Sequence, residues 1–431
     1  MNRRDFIKTG ALFAAAPAIG ANAPREFKAA VVGCGGRGTG WGGGAAGNLA
    51  EAAKSLGCTV KFVAFADFFL EKAKAANEKL GEGKGKVFGG ANGYKEIMKM
   101  PEVDLVILTT PLNFRPRHTM AAIQAGKHVF AEKGVAVDAP GVREMIAASK
   151  LAAEKKLTIV CGTQRRHQRG YLLQKKMLDS GLIGSIVGGE VYWNGAVPWV
   201  RERTAGMTNK AYLCNNWLNF AELSGDHICE QHVHNIDVAN WFLGRYPKSV
   251  VAFGARARRH SGNQYDMFSG DFDYGEGVHI HSMCRQIDGC KSDVREFFIT
   301  DERFQIAGGQ AIRGRNGKIV EMLAGDFPDV SPYVQEHVDL LNSIMGKGPY
   351  FNEGEACALS TACGIMVRIS AYTGQLVTLN DIVKSEKSPF YNMACKPSAA
   401  DFEADGDVAM PEYGDDKWPL PGEPWRGFKK A

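Results

Sequence analysis

A short apolar strand that runs directly into a glycine-rich turn places the strongest constraint on the fold of this chain. Residues 28–32 read Lys-Ala-Ala-Val-Val, and the next six residues read Gly-Cys-Gly-Gly-Arg-Gly before a helical stretch at 45–55. Glycines with G-x-G-x-x-G spacing permit a tight turn and let the phosphates of a dinucleotide approach the backbone at a helix N-terminus. The predicted dinucleotide-binding residues of this turn are Gly33, Gly35, Gly36, Arg37 and Gly38.

A carboxylate at the end of the second strand discriminates between dinucleotides. The apolar run 60–66 ends at Asp67. A carboxylate in this place accepts hydrogen bonds from the adenosine ribose and repels a 2′-phosphate, so the sequence favours NAD over NADP. Asp67 follows Gly38 by more than the usual ~20 residues, and we attribute the extra length to a glycine-rich insertion at 40–44. Nine of the 51 glycines lie between Gly33 and Gly47.

Strands and helices alternate through the first part of the chain. Strands are predicted at 28–32, 60–66, 103–109, 128–132 and 157–161, and helices at 45–55, 73–80, 118–125 and 141–155. This alternation predicts an α/β fold with a doubly wound parallel sheet, whose ligand lies at the carboxyl ends of the strands. That edge of the sheet carries Gly33, Asp67, Pro111, Glu132 and Lys133.

The second part of the chain changes to stretches of alternating polarity. Strands are predicted at 185–193, 249–256, 267–274, 278–283 and 295–300, and helices at 334–345 and 356–371. We expect an α+β domain with a large mixed or antiparallel open sheet. The predicted organisation is a Rossmann domain at 27–163, a substrate-binding domain at 164–395 and an irregular C-terminal tail at 396–431.

The first 23 residues have the composition of an export signal. Arg3 and Arg4 precede Phe-Ile-Lys, an apolar stretch follows at 11–19, and small residues occupy 20–23. A charged start, a short apolar middle and a small-residue end predict a signal peptide, and the arginine pair resembles the twin-arginine signal. We expect residues 1–23 to be removed by export through the twin-arginine machinery, giving a periplasmic protein with no membrane anchor. A chance basic N-terminus is the alternative.

Charge and cysteine usage exclude two classes of function. The formal net charge is +5 over 431 residues, with no basic stripe or RNA-reading aromatic motif, so nucleic acid is not an expected partner. The ten cysteines include no C-x-x-C pair, which is neither a zinc pattern nor a dense disulfide framework. We therefore expect buried free thiols and predict no metal site.

Four sequence features together resemble the glucose–fructose oxidoreductase / inositol dehydrogenase / rhizopine catabolism (Gfo/Idh/MocA) family. They are the glycine turn at 33–38, Thr109-Thr110-Pro111, the block Ala-Gly-Lys-His-Val-Phe-Ala-Glu-Lys at 125–133, and Glu230-x-x-x-His234-x-x-Asp237. The resemblance covers residues 27 to 375. It implies a Rossmann domain joined to an open-sheet domain, a nicotinamide cofactor, and a sugar, polyol or related carbohydrate as substrate. Family members often pair through the broad sheet face, so a homo-oligomer is expected.

The resemblance also implies roles for individual residues. The family's catalytic lysine corresponds to Lys133, and its acid and histidine correspond to Glu230 and His234. Thr110, Pro111 and Glu132 fall in the implied cofactor site. Two positions depart from the family pattern, because Gly134 stands where proline is usual and Glu230 stands where aspartate is usual.

These residue types suit the oxidation of a secondary alcohol. A histidine with a pKa near 6.5 can accept the hydroxyl proton as hydride leaves, and an ammonium group stabilises the developing alkoxide. His227, Glu230 and His234 are spaced to share one helix face, which we expect to point at the nicotinamide. Two histidines and a glutamate could instead bind zinc, or the face could be a polar surface that is hydrogen-bonded within its own domain.

Further residues are predicted to contact the substrate. Three polar residues follow the last Rossmann strand, and an aromatic-rich segment follows later in the chain. The predicted substrate contacts are Arg165, Arg166, His167, Tyr192, Trp217, His227 and Asp237. The alternatives are an exposed basic turn for the first group and core packing for the aromatic residues.

Export and cofactor binding together predict a NAD molecule that stays tightly bound and is recycled in each cycle. One scheme oxidises a sugar and then reduces a second carbonyl compound. Another oxidises C3 of a glycoside, eliminates the aglycone, adds water and reduces the ketone again, which is a redox-neutral glycosidase. The oxidoreductase is the first prediction, and a non-catalytic carbohydrate-binding protein is the third alternative.

Overall fold

The computed structural model describes residues 25–40, 44–325 and 327–411. Its first sheet has six parallel strands in the order β3-β2-β1-β4-β5-β6. The strands are β1 (Glu26–Val32), β2 (Thr59–Asp67), β3 (Lys86–Gly89), β4 (Leu105–Leu108), β5 (His128–Ala131) and β6 (Ile159–Cys161). The strand order reverses at β1, which opens a crevice above the carboxyl ends of β1 and β4. The predicted α/β class is confirmed.

Five helices cover the two faces of this sheet. They are α1 (Gly44–Ser55), α2 (Leu70–Leu80), α3 (Gly93–Met98), α4 (Arg115–Gln124) and α5 (Ala139–Glu154). The five predicted strands are all present. The sequence pattern does not predict β3, a four-residue edge strand without one fully buried residue, or the six-residue helix α3.

The second sheet has eight strands and is mixed, as predicted. Its order is β13-β12-β11-β7-β10-β9-β8-β14, and only β7 and β10 pair in parallel. The strands are β7 (Ile186–Gly195), β8 (Ser249–Ala255), β9 (Met267–Asp273), β10 (His279–Gln286), β11 (Asp293–Thr300), β12 (Gln305–Ala307), β13 (Ala311–Arg313) and β14 (Val377–Thr378). One face packs on helices, and the other face is open.

Helices of the second half connect the two sheets. They are α6 (Arg169–Asp179), α7 (Asn209–Asn215), α8 (Ala221–Ser224), α9 (Val233–Leu243), α10 (Pro332–Met345), α11 (Gly354–Thr373), α12 (Leu379–Val383) and α13 (Ala399–Glu403). Among the described helices, α11 alone is long and apolar enough to cross a membrane by length and composition. Nearly all of α11 is buried in the core.

The two ends of the chain lie partly outside the described residues. The predicted export signal at 1–23 falls there, as do residues 412–431 of the predicted tail. The part of that tail that is described is not irregular throughout, because helix α13 begins after Ser398 with a capping box formed with Asp401. Two reciprocal hydrogen bonds of this kind satisfy backbone donors at a helix start.

Candidate active site

A cavity of about 940 Å³ lies between the carboxyl ends of the first sheet and the second domain. All of the predicted cofactor residues except Gly38 line it, and so do the predicted catalytic residues. The lining residues from those two groups are Gly33, Gly35, Gly36, Arg37, Asp67, Thr110, Pro111, Glu132, Lys133, Glu230 and His234. Residues from the ends of four parallel strands thus meet at one edge, as the topology requires.

The glycine turn at 33–38 has two tight positions and two open ones. Gly33 has φ +96°, and a Cβ there would lie 2.7 Å from the backbone of Thr109. A Cβ on Gly38 would lie 2.1 Å from the carbonyl oxygen of Gly33. A Cβ on Gly35 or Gly36 would meet no atom within 4 Å. Gly33 and Gly38 therefore pack against the backbone, whereas Gly35 and Gly36 leave open space on the cavity side. A pyrophosphate fits against the backbone in this open space.

The Asp67 carboxylate is fixed at the edge of this turn. It accepts hydrogen bonds from the backbone N–H groups of Cys34, at 2.7 Å, and Phe69, at 2.9 Å. Burial raises the pKa of Asp67, although these two bonds and the charge of Lys72 oppose the rise. Each carboxylate oxygen has more than one acceptor position, so Asp67 can still bind the hydroxyls of a ribose.

Lys133 is held by the backbone and by Glu230. Its Nζ donates to the Glu230 carbonyl oxygen and lies 3.0 Å from Glu230 Oε1. Arg115, which was not among the predicted site residues, donates to the carbonyl oxygens of Lys133 and Gly134. The Arg115 side chain is buried, so it fixes the backbone that carries the lysine. Its only sequence signal is a cation at the first turn of α4.

A π-helical turn separates the histidines that the sequence placed on one face. Residues Ile228–His232 form this turn before α9 begins. The wider turn rotates the side chains relative to an α-helix, so Gln231, Glu230 and His234 line the cavity and His227 does not. His227 is fully buried beside Phe268. The structure therefore does not bring His227 to the cavity, and its contact with substrate stays a prediction.

Gly134 and the π-helical turn lie in close contact. A Cβ on Gly134 would be 2.5 Å from the carbonyl oxygen of Cys229 and 3.1 Å from a Leu112 side-chain carbon. The backbone of the turn therefore passes directly over residue 134. This approach accounts physically for glycine in that position.

His234 lies at the cavity surface as a neutral imidazole. It is 8% exposed, and its ring stacks on Trp193 with centroids 5.7 Å apart. Burial, followed by the charges of Lys133, Arg165 and Arg37, holds the pKa of His234 well below 6.5. The expectation of a pKa near 6.5 is therefore wrong. A neutral imidazole is the form that can accept a proton.

Trp193, and not Tyr192, faces the cavity from strand β7. Neighbouring residues on a strand point to opposite faces, and Trp193 lines the cavity. The Tyr192 hydroxyl donates to Glu190 at 2.5 Å, away from the cavity. The structure therefore does not bring Tyr192 to the cavity, and its contact with substrate stays a prediction. Trp217 does line the cavity, where its ring meets Trp199 edge to face at 5.9 Å.

Arg166 and Asp237 form an ion pair near the cavity, and the Asp237 carboxylate of this pair is buried. The guanidinium donates to both carboxylate oxygens, at 2.7 and 2.8 Å. Ser360 donates to the same carboxylate at 2.7 Å. Neither Arg166 nor Asp237 lines the cavity, and the predicted substrate contacts at both positions stay predictions. The pair joins the turn after β6 to α9 and α11.

Arg165 and His167 are also engaged within the protein. Arg165 donates to the buried carboxylate of Glu296, and its guanidinium lies 5.6 Å from the Trp193 ring. His167 Nδ1 lies 2.6 Å from Asp339. Burial opposes the charge on His167, but neighbouring carboxylates raise its pKa to about 10. Neither residue is among those that line the cavity, and their contact with substrate stays a prediction.

Arg37 connects the glycine turn to the end of β5 and to α10. It donates to Glu132 at the end of β5 and, at 3.1 Å, to Glu336 on α10. Its guanidinium also lies 5.1 Å from the Tyr333 ring. Burial would raise the pKa of Glu132, but Arg37, Lys133 and Arg115 lower it overall. These contacts fix the Arg37 side chain between the end of β5 and α10.

The residues in the cavity fit a dinucleotide rather than a metal ion. Within the described ranges, no group of three or more histidine, cysteine, aspartate or glutamate side chains is arranged to hold a metal. The zinc alternative lacks His227, which lies outside the cavity. The open glycine turn and the Asp67 carboxylate instead match the phosphate and ribose of a dinucleotide.

Two family models match most of the described chain. The model described as an oxidoreductase family with an NAD-binding Rossmann fold matches residues 27–163, and the GFO/IDH/MocA C-terminal domain matches residues 171–311. The chain belongs to the GFO/IDH/MocA family. The matching model describes an oxidoreductase family with an NAD-binding Rossmann fold, so the family resemblance is confirmed.

Similar proteins include named inositol dehydrogenases. The NADP(+) scyllo-inositol 2-dehydrogenase IolW of Bacillus subtilis is 32% identical over 186 residues, 42% of this chain and 46% of that protein. The inositol 2-dehydrogenase of Salmonella typhimurium is 29% identical over 200 residues, 46% of this chain and 51% of that protein. The chain spans about half the length of the curated relatives it matches.

Solved structures share the fold at low sequence identity. The aldose–aldose oxidoreductase of Caulobacter crescentus, complexed with glycerol, has a TM-score of 0.62 at 18% identity, covering 82% of this chain and 100% of that one. The WlbA dehydrogenase of Bordetella pertussis, in complex with NADH and UDP-GlcNAcA, has a TM-score of 0.62 at 19% identity, covering 82% and 99%. These likenesses concern the fold alone.

Proposed function

We propose that this protein transfers hydride between NAD and a secondary alcohol of a sugar, polyol or glycoside. The observation that carries the proposal is the position of Lys133 and neutral His234, which line the same cavity beside the glycine turn. Bound NAD supplies the hydride acceptor. His234 accepts the hydroxyl proton, and Lys133 stabilises negative charge that develops on the oxygen. Glu230 keeps the Lys133 ammonium in place.

A carbohydrate substrate is supported by the aromatic side chains in the cavity. Trp193, Trp199 and Trp217 line it, together with the amide of Gln231. Aromatic rings pack against the apolar faces of sugar rings, and amides hydrogen-bond hydroxyls. The relatives named as inositol dehydrogenases support the same substrate class.

NAD is the proposed dinucleotide because Asp67 lies where a 2′-phosphate would meet a carboxylate. Tight retention is supported by the contacts of Arg37 with Glu132 and Glu336, which fix the position of this glycine-turn residue at the cavity. Titration of dinucleotide-free protein with NADH and NADPH tests the choice, and equal dissociation constants would contradict it.

Periplasmic location is a proposal based on the composition of residues 1–23. Replacing Arg3 and Arg4 by lysine is expected to leave the protein in the cytoplasmic fraction of the expressing cell. Detection of the wild type in the cytoplasm alone would refute export. A homo-oligomer is also proposed, because the open sheet face exposes Val251, Phe253 and Ile299, with Phe253 75% exposed. Light scattering of the purified protein tests this point.

The central experiment starts from the purified protein without added cofactor. Denaturation is expected to release nicotinamide dinucleotide, detected by mass and absorbance, and a sugar and polyol screen then identifies the substrate. Protein that carries no dinucleotide after purification would refute retention. Protein that neither binds NADH nor oxidises any carbohydrate would refute the proposed function.

A redox-neutral glycosidase is the second candidate. This chemistry needs a base for the C2 proton in addition to the group that handles the hydroxyl proton, and Glu230 lies in the cavity with His234. Incubation with p-nitrophenyl glycosides in deuterated water, without added NAD, tests it. Cleavage with deuterium at C2 supports elimination, and cleavage without it excludes that route. A merely carbohydrate-binding protein would show neither reaction, but it leaves Lys133 and His234 without a role.

A further inference from the structure

A C-terminal segment outside both family-matched ranges joins the two sides of the cleft. Residues 396–411 follow α12 and contain α13. Helix α13 packs on the first domain beside α3 and α4, and the residues after it reach α7 of the second domain. None of these residues belongs to the proposed catalytic group.

The first connection is an apolar cluster with members from three parts of the chain. The Phe402 ring meets Phe114 edge to face, with centroids 5.2 Å apart, and Phe114 lines the cavity. The same cluster contains Leu213 and Cys214 of α7, and Phe69 of the first domain packs against it. Separating the two domains at this point would expose these side chains to water, which costs free energy.

The second connection is the buried carboxylate of Glu403. Its oxygens accept hydrogen bonds from the Tyr94 hydroxyl at 3.0 Å, Lys95 Nζ at 2.7 Å and Arg117 Nε at 2.6 Å. The Glu403 side chain is 6% exposed. Burial alone would raise the pKa of Glu403, but the bonds from Lys95 and Arg117 lower it overall. Glu403 is therefore a charged anchor on α3 and α4 at neutral pH.

The third connection ties the segment to the start of α7. The Asp407 carboxylate accepts hydrogen bonds from the backbone N–H groups of Asn209, at 2.7 Å, and Lys210, at 2.9 Å. Lys210 Nζ donates to the Ala404 carbonyl at 2.5 Å, and the Asn209 amide donates to the Val408 carbonyl at 2.7 Å. Helix α7 is thus attached at its N-terminal end to the chain that follows Glu403.

Helix α7 lies across the cleft from the residue proposed to bind the adenosine ribose. Cys214, near the end of α7, and Asp67 both line the cavity. After burial, the charge of Asp67 is the largest influence that raises the pKa of the Cys214 thiol, as expected for neighbouring groups. The second domain therefore covers this end of the cleft through α7.

We propose that residues 396–411 form an intramolecular clamp that holds α7 over the adenosine end of the cleft and slows release of the dinucleotide. The clamp rests on the proposed binding of NAD. For a dinucleotide to leave this end, α7 must move away from Asp67, and that movement breaks bonds at Glu403 or at Asp407. Bonds to a charged group are stronger than neutral ones, and opening of such a cover can limit the rate of release.

The test measures NADH release in the full-length protein. Wild type, Glu403→Gln and the control Glu386→Gln, which changes an exposed carboxylate, are loaded with NADH and mixed with excess NAD, and the NADH fluorescence is followed by stopped flow. Glu403→Gln places an amide against Lys95 and Arg117. We expect release to be about 10-fold faster, the factor that corresponds to ~1.4 kcal/mol, and unchanged in the control.

Hydrogen exchange of the α7 amides provides a second measurement, in protein without NADH. Exchange in α7 is expected to increase in Glu403→Gln and in Asp407→Asn, the variant that serves if Glu403→Gln does not fold. Release within twofold of wild type in a folded clamp variant would overturn the clamp while leaving NAD binding intact. Faster release without faster α7 exchange would also overturn it. Wild type that binds no NADH would refute the proposed function and the clamp together.

Discussion

Replacing Gly35 by alanine adds one methyl group to the glycine turn on its open side. The new Cβ would meet no protein atom within 4 Å, and the φ of Gly35 lies outside the left-handed region. The same substitution at Gly38 would place a Cβ 2.1 Å from the Gly33 carbonyl oxygen. We therefore expect Gly35→Ala to weaken dinucleotide binding and Gly38→Ala to destabilise the fold.

The expected magnitudes follow from these distances. At Gly35 the methyl group takes space that we assign to the pyrophosphate, and overpacking of a close contact costs ~1–3 kcal/mol. The dissociation constant for NADH should rise about 5- to 150-fold, while the unfolding free energy stays constant or rises by up to ~1 kcal/mol. At Gly38 the backbone itself must move, so the unfolding free energy should fall by at least ~1–3 kcal/mol.

Two assays separate the outcomes. Fluorescence titration with NADH gives the dissociation constant of dinucleotide-free protein, and circular dichroism gives its thermal midpoint. Gly195→Ala is the matched control, because its Cβ would also meet no atom within 4 Å and Gly195 does not line the cavity. Equal NADH affinity in Gly35→Ala and Gly195→Ala would refute the assignment of this space to the pyrophosphate. A wild-type midpoint in Gly38→Ala would refute the steric argument.

Three further variants or conditions test the site. Lys133→Met is expected to lower kcat by at least about 100-fold, measured as NADH formation with saturating substrate, and unchanged turnover would contradict its role. Because the pKa of His234 lies well below 6.5, the base stays unprotonated as pH falls through 6.5, so kcat/KM should stay level there, and a decline with its midpoint at 6.5 would count against this base. Arg166→Ala leaves Asp237 buried without its partner and should lower the unfolding free energy by about 3–5 kcal/mol in urea titration. Arg166→Met combined with Asp237→Asn should recover part of that loss, and no recovery would contradict the charge argument.

The first sheet could be predicted because most of its strands are buried and apolar between polar turns. Strand β4, residues Leu105–Leu108, is fully buried and reads as such in the sequence. Strand β3 has the opposite character, since Lys86 and Gly89 are exposed and the two residues between them are half-buried. An edge strand of this kind gives no hydrophobic signal, and only its pairing with β2 defines it.

Site residues could be predicted from the sequence where they come directly after a strand. They could not be predicted where the role of a side chain depends on a partner far along the chain. Asp67 and Lys133 follow directly from the ends of β2 and β5. Arg165 instead finds its carboxylate partner, Glu296, 131 residues further along the chain, and no local pattern reveals such a pair. An arginine after a strand end can contact a substrate, but in this fold Arg165 pairs with Glu296.

Regular periodicity also fails where the backbone departs from it. The shared face of His227 and His234 assumes 3.6 residues per turn, and the π-helical turn at Ile228–His232 breaks that period. The strand period of two places either Tyr192 or Trp193 at the cavity without selecting between them. The packing of the fold selects Trp193. Val191 is fully buried in the core, and Trp193, two residues further along the strand, lies on the same face. On that face the Trp193 indole stacks on His234.

Because the π-helical turn passes closely over Gly134, substitutions at residue 134 and substitutions in the turn depend on each other. Any residue with a Cβ at 134 would need the carbonyl of Cys229 to retreat from its 2.5 Å approach. Moving Cys229 shifts Glu230, the next residue, whose carbonyl and carboxylate both hold Lys133. A descendant of this protein could therefore acquire a side chain at 134 only together with a rebuilt turn and a new way to anchor its lysine. Substitutions at 134 and at 228–232 should therefore covary among related sequences.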